Sequence, residues 1–277
     1  VTALQGIVHD LDENEYHAHP ALSSTQARQI LDSPARFNYN RTHPQPHKDA
    51  FDLGTAVHTK VLGVGAHVIT YPDEHLTPSG AVSTKAATVA WAEEQRANGF
   101  VVIGTAQAAQ VDGMAEAVLA HPTARALLEQ PGALSEASVF TTDTEWDVPI
   151  RARFDLLAPI TVDLKTTAKE ASPSGFAKSV ANFGYDVQQG HYLDAHELAT
   201  GGRPNMVFVV VETTAPHLVG VHQLDRDFAD MGQVKARYAR QRFAECTASG
   251  VWPGYPTQIG LIPPPVYAVY DFQDNYS

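Results

Sequence analysis

Residues 148–167 read VPIRARFDLLAPITVDLKTT. This stretch decides the fold. Its halves, EWDVPIRARFDLLA from residue 145 and ITVDLKTT from residue 160, alternate with period two and meet at the turn Ala158-Pro159. With SEASVFTT just upstream, they predict three successive antiparallel strands. Working outward on the C-terminal side, residues 172–182 and 186–199 read as helices. NMVFVVVETT and HLVGVHQL read as two more strands, the first apolar enough to be central. Residues 225–250 predict a long amphipathic helix with an aspartate at its start, and residues 252–277 an extended arm rich in proline and aromatics.

On the N-terminal side, residues 1–22 read as irregular with one short extended piece. Ser23, Ser24 and Thr25 are good helix caps ahead of QARQIL, and that helix ends near DSPARF. NRTHPQPHKDA reads as a loop, FDLGTAVHTKVLG as a partly buried helix, and TPSGAVSTK as a loop or helix start. Alanine-rich helices follow at about 83–98, 105–120 and 122–130. The order predicts a single α/β domain with a central mixed β-sheet flanked by helices. Its parts are a mainly helical stretch (1–130), a sheet core (131–224), and a C-terminal helix and arm (225–277).

The same strands hold candidate chemistry. Alternate residues of a strand share a face, so Asp163 and Lys165 point one way and Leu164 points into the core. The Leu164 carbonyl stays free as a ligand if the strands diverge. Pairing through the turn brings Asp155 toward Asp163. Two carboxylates and a carbonyl are hard oxygen ligands of the kind magnesium prefers. A lysine beside them can hold, or help deprotonate, a water that attacks a phosphate. Neither Asp163 nor Lys165 looks like a core packing residue. Gln188 and Tyr192 stand four apart on one helical face, where an amide and a phenol could orient water or grip a phosphate; a plain helix surface is the alternative. His58 lies among small residues that permit close packing, and Glu136 begins the strand SEASVF.

Composition sets limits. The chain has 277 residues, 44% of them hydrophobic, and a formal net charge of -12. Cys246 is its one cysteine, which excludes an intrachain disulfide and a four-cysteine metal centre. No apolar run is long enough to span a bilayer, and VTALQGIVHDLDENEY shows no signal peptide, so no membrane association and a cytoplasmic location (host cytoplasm if phage-encoded) are expected. The acidic charge weighs against a nucleic-acid partner, but bound divalent ions reverse the local charge of a carboxylate site. Arg28, Arg36, Arg41, Lys48 and Lys60 form one basic cluster in sequence; Lys235, Arg237, Arg240 and Arg242 form another. His9, His17, His19, His43 and His47 fit no compact zinc spacing. GxSxG, Walker, HExxH and dinucleotide-binding patterns are absent.

Together, LSSTQARQILDSPARF, GTAVHTKVLG, RARFDLL, VDLKTT and QQGHYLDA resemble the nuclease domain of RecE-like (exonuclease VIII type) phage recombination exonucleases, in the PD-(D/E)xK nuclease superfamily. The RecB nuclease domain and phage lambda exonuclease are more distant relatives. The resemblance spans about residues 16–200. It implies a PD-(D/E)xK, restriction-endonuclease-like core. Asp155 and Asp163 would be the main metal ligands with the Leu164 carbonyl, His58 would help at a second metal, and Glu136 matches a further acidic position. Lys165 would activate the water, and Gln188 and Tyr192 would support the water or phosphate. Ser24, Arg28 and Arg36 would grip a terminal 5′-phosphate. The cofactor implied is Mg2+, two ions per site, with Mn2+ able to substitute. The activity implied is a 5′ to 3′ exonuclease on double-stranded DNA ends, leaving 3′ single strands for annealing. A RecT-type single-strand annealing protein and a ring-shaped homo-oligomer are implied as partners. Two departures are visible: aspartate stands before the lysine where the family has glutamate, and the four-cysteine cluster of some relatives is missing. An endonuclease, a single-strand nuclease and a catalytically inactive DNA-binding module remain alternatives.

Overall fold

The computed structural model describes residues 4–43, 49–65 and 67–277. In chain order the elements are β1 (Gly6–Val8), α1 (Glu13–Ala18), α2 (Ser24–Asp32), α3 (Pro34–Asn40), α4 (Asp49–Leu62), β2 (His67–Thr70), a 3-10 turn (Asp73–His75), α5 (Ala86–Ala97), β3 (Phe100–Ile103), α6 (Thr105–Ala120) and α7 (Pro122–Leu128). There follow β4 (Leu134–Asp143), β5 (Val148–Leu157), β6 (Ile160–Thr167), α8 (Pro173–Phe183), α9 (Tyr185–Thr200), β7 (Asn205–Glu212), β8 (Val219–His222), α10 (Arg226–Ser249) and α11 (Val266–Tyr276).

Six strands form one sheet in the order β1-β4-β5-β6-β7-β8. Every neighbouring pair is antiparallel except β6 and β7. A parallel pair needs a crossover, and α8 with α9 supplies it. The expected mixed sheet with flanking helices is therefore present, as is the β4-β5-β6 meander. Both faces are covered. On β7, Met206, Phe208 and Val210 pack with Phe176 and Val180 of α8, while Val209 and Val211 pack with Val57 of α4 and Met114 of α6. Val139, Ile150, Ala152 and Phe154 of β4 and β5 pack with Ile30, Val187 and Ala236 of α2, α9 and α10.

Local chemistry explains the helix ends. Ser23 and Gln26 form a capping box on α2. Ser33 caps α3 with Pro34 in its first turn, so SPARF starts a second helix as well as ending the first. Four features depart from expectation. Residues 13–18 form the short helix α1, capped by Asp12. Four-residue segments β2 and β3 pair in parallel as a second small sheet; their contact is remote in sequence and leaves little periodic signal. The tail is irregular over 251–265 and then helical, as α11. The basic clusters disperse into separate contacts. Lys60 pairs with Asp112, Lys235 with Asp186, Arg237 with Glu145, and Arg240 with Asp143 and Asp194. Lys48 and His47 lie outside the described residues.

Helices α9 and α10 cross at glycines. A Cβ on Gly190 would stand 2.7 Å from the Gly232 carbonyl oxygen and 2.8 Å from Gln233 backbone atoms. Alanine at 190 gains up to about 1 kcal/mol in helix propensity, but the clash with backbone costs about 1–3 kcal/mol. Gly190→Ala is therefore expected to lower the urea midpoint of unfolding. Beside this crossing, fully buried His191 bonds the Arg151 carbonyl through Nε2 at 3.1 Å. Burial, and then Arg240, push its imidazole down to about 4. The unfolded imidazole, near 6.5, takes its proton first, so this contribution is present above pH 6.5 and lost as pH falls toward 4. The loss from pH 7 to 4.5 is roughly 2–3 kcal/mol. His191→Gln is expected to flatten the acid limb of stability by that amount in denaturant titrations at the two pH values.

Candidate active site

The site begins where β5 and β6 part. Leu156 and Val162, flanking the turn, are the residues in register between these strands. Beyond them Asp155 takes over the role of a strand: its Oδ2 accepts the Leu164 N–H at 2.7 Å. In a strand the N–H and C=O of one residue face the same edge, so the Leu164 carbonyl also faces this opening. The Leu164 side chain is buried in the core on the α4 and α6 side, as its alternation with Asp163 and Lys165 demands.

Helix α4 delivers His58. Gly54 of this helix faces β6, where an added Cβ would make an ordinary contact with Thr166 Oγ1 at 3.7 Å. One turn later His58 Nδ1 is 3.6 Å from Asp155 Oδ2. Glu136 enters from β4. The register pairs Ser135 with Leu156 and Ala137 with Phe154, which sets Glu136 opposite Asp155. Its φ of 52° is a left-handed value that costs a non-glycine residue energy. Ligand atoms of His58, Glu136 and Asp155 all lie within 4.8 Å of one another. Burial, and then the Asp155 charge, push the Glu136 carboxyl up to about 7, against the pull of Arg153. Two crowded carboxylates and an imidazole are a donor set that fits a divalent cation. His58, Glu136 and Asp155 are the residues placed to hold it.

The second half of the site faces α9. Gln188 Nε2 donates to Asp163 Oδ1 at 2.5 Å, and Lys165 Nζ is ion-paired with Asp163 Oδ2. Asp163 is only 1% exposed, so it is a packed residue as well as a charged one, contrary to the sequence reading. Burial, and also Asp155, raise its pKa, while Lys165 opposes them. Burial pulls the Lys165 ammonium down, but Asp163 and then Asp155 outweigh it and hold the group charged. Tyr192 packs against Phe154 with ring centroids 5.0 Å apart. Burial lifts its phenol well above the usual range, with Tyr16, Asp163 and Asp155 adding to the effect.

The structure thus brings together Asp155, Asp163, Leu164, Lys165, Gln188, Tyr192, His58 and Glu136. The DNA-end candidates divide. Ser24 is buried in the first turn of α2, and its carbonyl accepts from Arg28 Nε at 3.4 Å. Arg28 reaches the Phe183 carbonyl at 2.7 Å, and its charge bears on Tyr185 and Tyr192. Arg36 is engaged elsewhere, by Asp32 and the Tyr255 hydroxyl, both at 2.7 Å.

Two residues escaped the sequence reading. Lys165 Nζ lies 5.0 Å from the Tyr185 ring centroid; Tyr185 stands three residues before Gln188, and that spacing was the available signal. Arg153 Nε lies 4.0 Å from Glu136 Oε2 and bonds Ser138 Oγ at 2.9 Å; Arg153 stands two residues before Asp155, on the same strand face.

Comparison with curated proteins finds no match. Among solved structures, the chain is similar to a crystal structure named "Putative exonuclease" from Eubacterium rectale. The TM-score is 0.61 at 8% identity, over 95% of this chain and 98% of that one, a likeness of fold. Residues 23–262 match the model of the family described as PDDEXK-like domain of unknown function (DUF3799). The match covers most of the chain and includes every residue of the site, so the chain belongs to this PDDEXK-like family, within the PD-(D/E)xK nuclease superfamily.

Proposed function

We propose that the protein is a divalent-metal-dependent DNA exonuclease that hydrolyses phosphodiester bonds. One observation carries the reading. At the parting of β5 and β6, the cluster of His58, Glu136 and Asp155 adjoins the Asp163–Lys165 ion pair. Carboxylate and imidazole ligands next to a fixed ammonium suit metal-assisted phosphate hydrolysis. The alternative of an inactive binding module is disfavoured because no member of the set is missing. The similarity in fold to a structure named as an exonuclease supports the choice of reaction.

In this reading the ions are Mg2+, two per site, with Mn2+ able to replace them. When bound, they supply Lewis acidity at the phosphate and neutralise charge on the leaving oxygen. Lys165 donates from Nζ to orient the attacking water and to offset negative charge as it develops. Gln188 and Lys165 hold the two oxygens of Asp163, which fixes that carboxylate's rotation. Asp155 is tied to the backbone through Leu164 and cannot swing away from His58. Arg28, beside Tyr185 and Tyr192, is the residue we assign to a terminal 5′-phosphate, with Ser24 at the same helix start. The 5′ to 3′ polarity, the preference for duplex ends and the production of 3′ strands for annealing follow the resemblance to RecE-like exonucleases. So do a RecT-type partner and assembly into a ring.

A linear duplex labelled separately at its 5′ and 3′ ends tests the reading. With magnesium the 5′ label is expected to leave first and a long 3′ strand to remain; with chelator neither label is lost. Nicking of a closed circular plasmid would replace this reading with an endonuclease. Variants test the residues. Asp155→Asn is expected to lower the rate by roughly 1,000-fold, the loss of several kcal/mol of metal-assisted stabilisation. Lys165→Gln retains a hydrogen-bond donor for buried Asp163, so the fold should survive while the rate falls at least about 100-fold. Circular dichroism melts run beside the rate measurements separate loss of chemistry from loss of structure.

A further inference from the structure

The Lys165 ammonium is held by one carboxylate. Among the described residues, Asp163 is its one ion-pairing and hydrogen-bonding partner. A lysine ammonium is a compact charge on a flexible four-carbon stem. One ion pair fixes how far it stands from a carboxylate and leaves its direction free. Orienting a water for attack requires the direction as well.

The second restraint is aromatic. Lys165 Nζ stands over the Tyr185 ring, 5.0 Å from its centroid, inside the roughly 6 Å reach of a cation–π contact. Other rings back this one. Phe176 stacks on it with centroids 5.9 Å apart and planes at 24°, and Phe208 lies at 6.2 Å and 29°. Both are buried core residues, so the ring cannot retreat from the ammonium. Local sequence delivers it. Gly184 is the single residue between α8 and α9, at φ 67°, and an added Cβ there would stand 2.9 Å from Arg28 Cδ. Glycine takes this left-handed turn without steric strain. Tyr185, Gln188 and Tyr192 then recur at i, i+3 and i+7 on one face of α9. Along that face Tyr185 meets Lys165, Gln188 meets Asp163 and Tyr192 meets Phe154.

We propose that Tyr185 is a positioning residue for the hydrolysis: its ring face fixes the direction of the Lys165 ammonium while Asp163 fixes its distance, which leaves the remaining N–H groups for the attacking water. The inference rests on the reaction proposed above. Electrostatics favour an aromatic ring at this place. The ring face carries the negative part of the quadrupole, and it faces an ammonium whose side chain is only 17% exposed. An aliphatic side chain of similar volume would fill the space and exert no such pull.

The test removes the ring's charge distribution and keeps the full chain. On a linear duplex with magnesium, Tyr185→Leu is expected to lower kcat roughly 5- to 30-fold, the range that a partly desolvated cation–π contact supplies. KM for DNA should stay within about threefold. Tyr185→Phe keeps the ring face and should recover most of the loss. Phenylalanines with increasing numbers of ring fluorines, incorporated at 185, keep the volume and drain the face of negative charge. With them log kcat should fall stepwise while thermal melts stay unchanged. In the free protein, the Hε protons of isotope-labelled Lys165 should show an upfield ring-current shift that Tyr185→Leu removes. Rates indifferent to fluorination, or a Lys165 resonance indifferent to Tyr185→Leu, would overturn the role of Tyr185, while cleavage by the unmodified chain would keep the nuclease reading. A loss of kcat and melting temperature together in every variant, Tyr185→Phe included, would make Tyr185 a packing residue only and also overturn the proposal. An unmodified chain that cuts no DNA would instead overturn the reaction, and the positioning role with it.

Discussion

One hydrogen bond organises this molecule: the Leu164 N–H donating to Asp155 Oδ2 across strands that have stopped pairing. A sheet that opens leaves backbone groups without partners, and such groups are costly when buried. Here a side chain answers one of them. The opening thereby becomes a pocket edge lined by a carboxylate, a backbone carbonyl and the flanking Asp163 and Lys165. The helix α4 closes it from one side with His58, and α9 from the other with Gln188 and Tyr192.

Charge is the second constraint. The chain is strongly acidic, and several of its cations are committed internally. Arg240 is buried between Asp143 and Asp194, and Lys165 is committed to Asp163. Around His58, Glu136 and Asp155 the balance differs. There Arg153 is the neighbouring cation, 4.0 Å from Glu136, and a carboxylate opposite another carboxylate remains undercompensated. Burying like charges together is unfavourable without a counter-ion. A strained backbone at Glu136 is the local cost of presenting its side chain there.

Much of this is legible in the sequence. The alternation in 148–167 predicts the meander and the shared face of Asp163 and Lys165. The four-residue step from Gln188 to Tyr192 predicts their common side of α9. What was not legible depends on contacts remote in sequence. The β2–β3 pair joins segments some thirty residues apart through four-residue strands. Arg28 is held at the Phe183 carbonyl, 155 residues away in the chain, where its charge bears on Tyr185 and Tyr192. Arg36, equally plausible by residue type, is held by Asp32 and Tyr255 instead. Tyr185 was legible by spacing and was missed because a tyrosine at a helix start commonly serves packing alone.

The sequence by itself determined the order of the elements from β4 to α10, the strand faces and the residue types of the site, because period, capping and turn chemistry act over a few neighbouring residues. Only the tertiary structure decided that Glu136 stands opposite Asp155, that Asp163 is sealed between Gln188 and Lys165, and that Arg28 goes to Phe183 while Arg36 goes to Asp32 and Tyr255. Those outcomes depend on register, helix approach and burial, which are set by packing between segments and have no local signature in the chain.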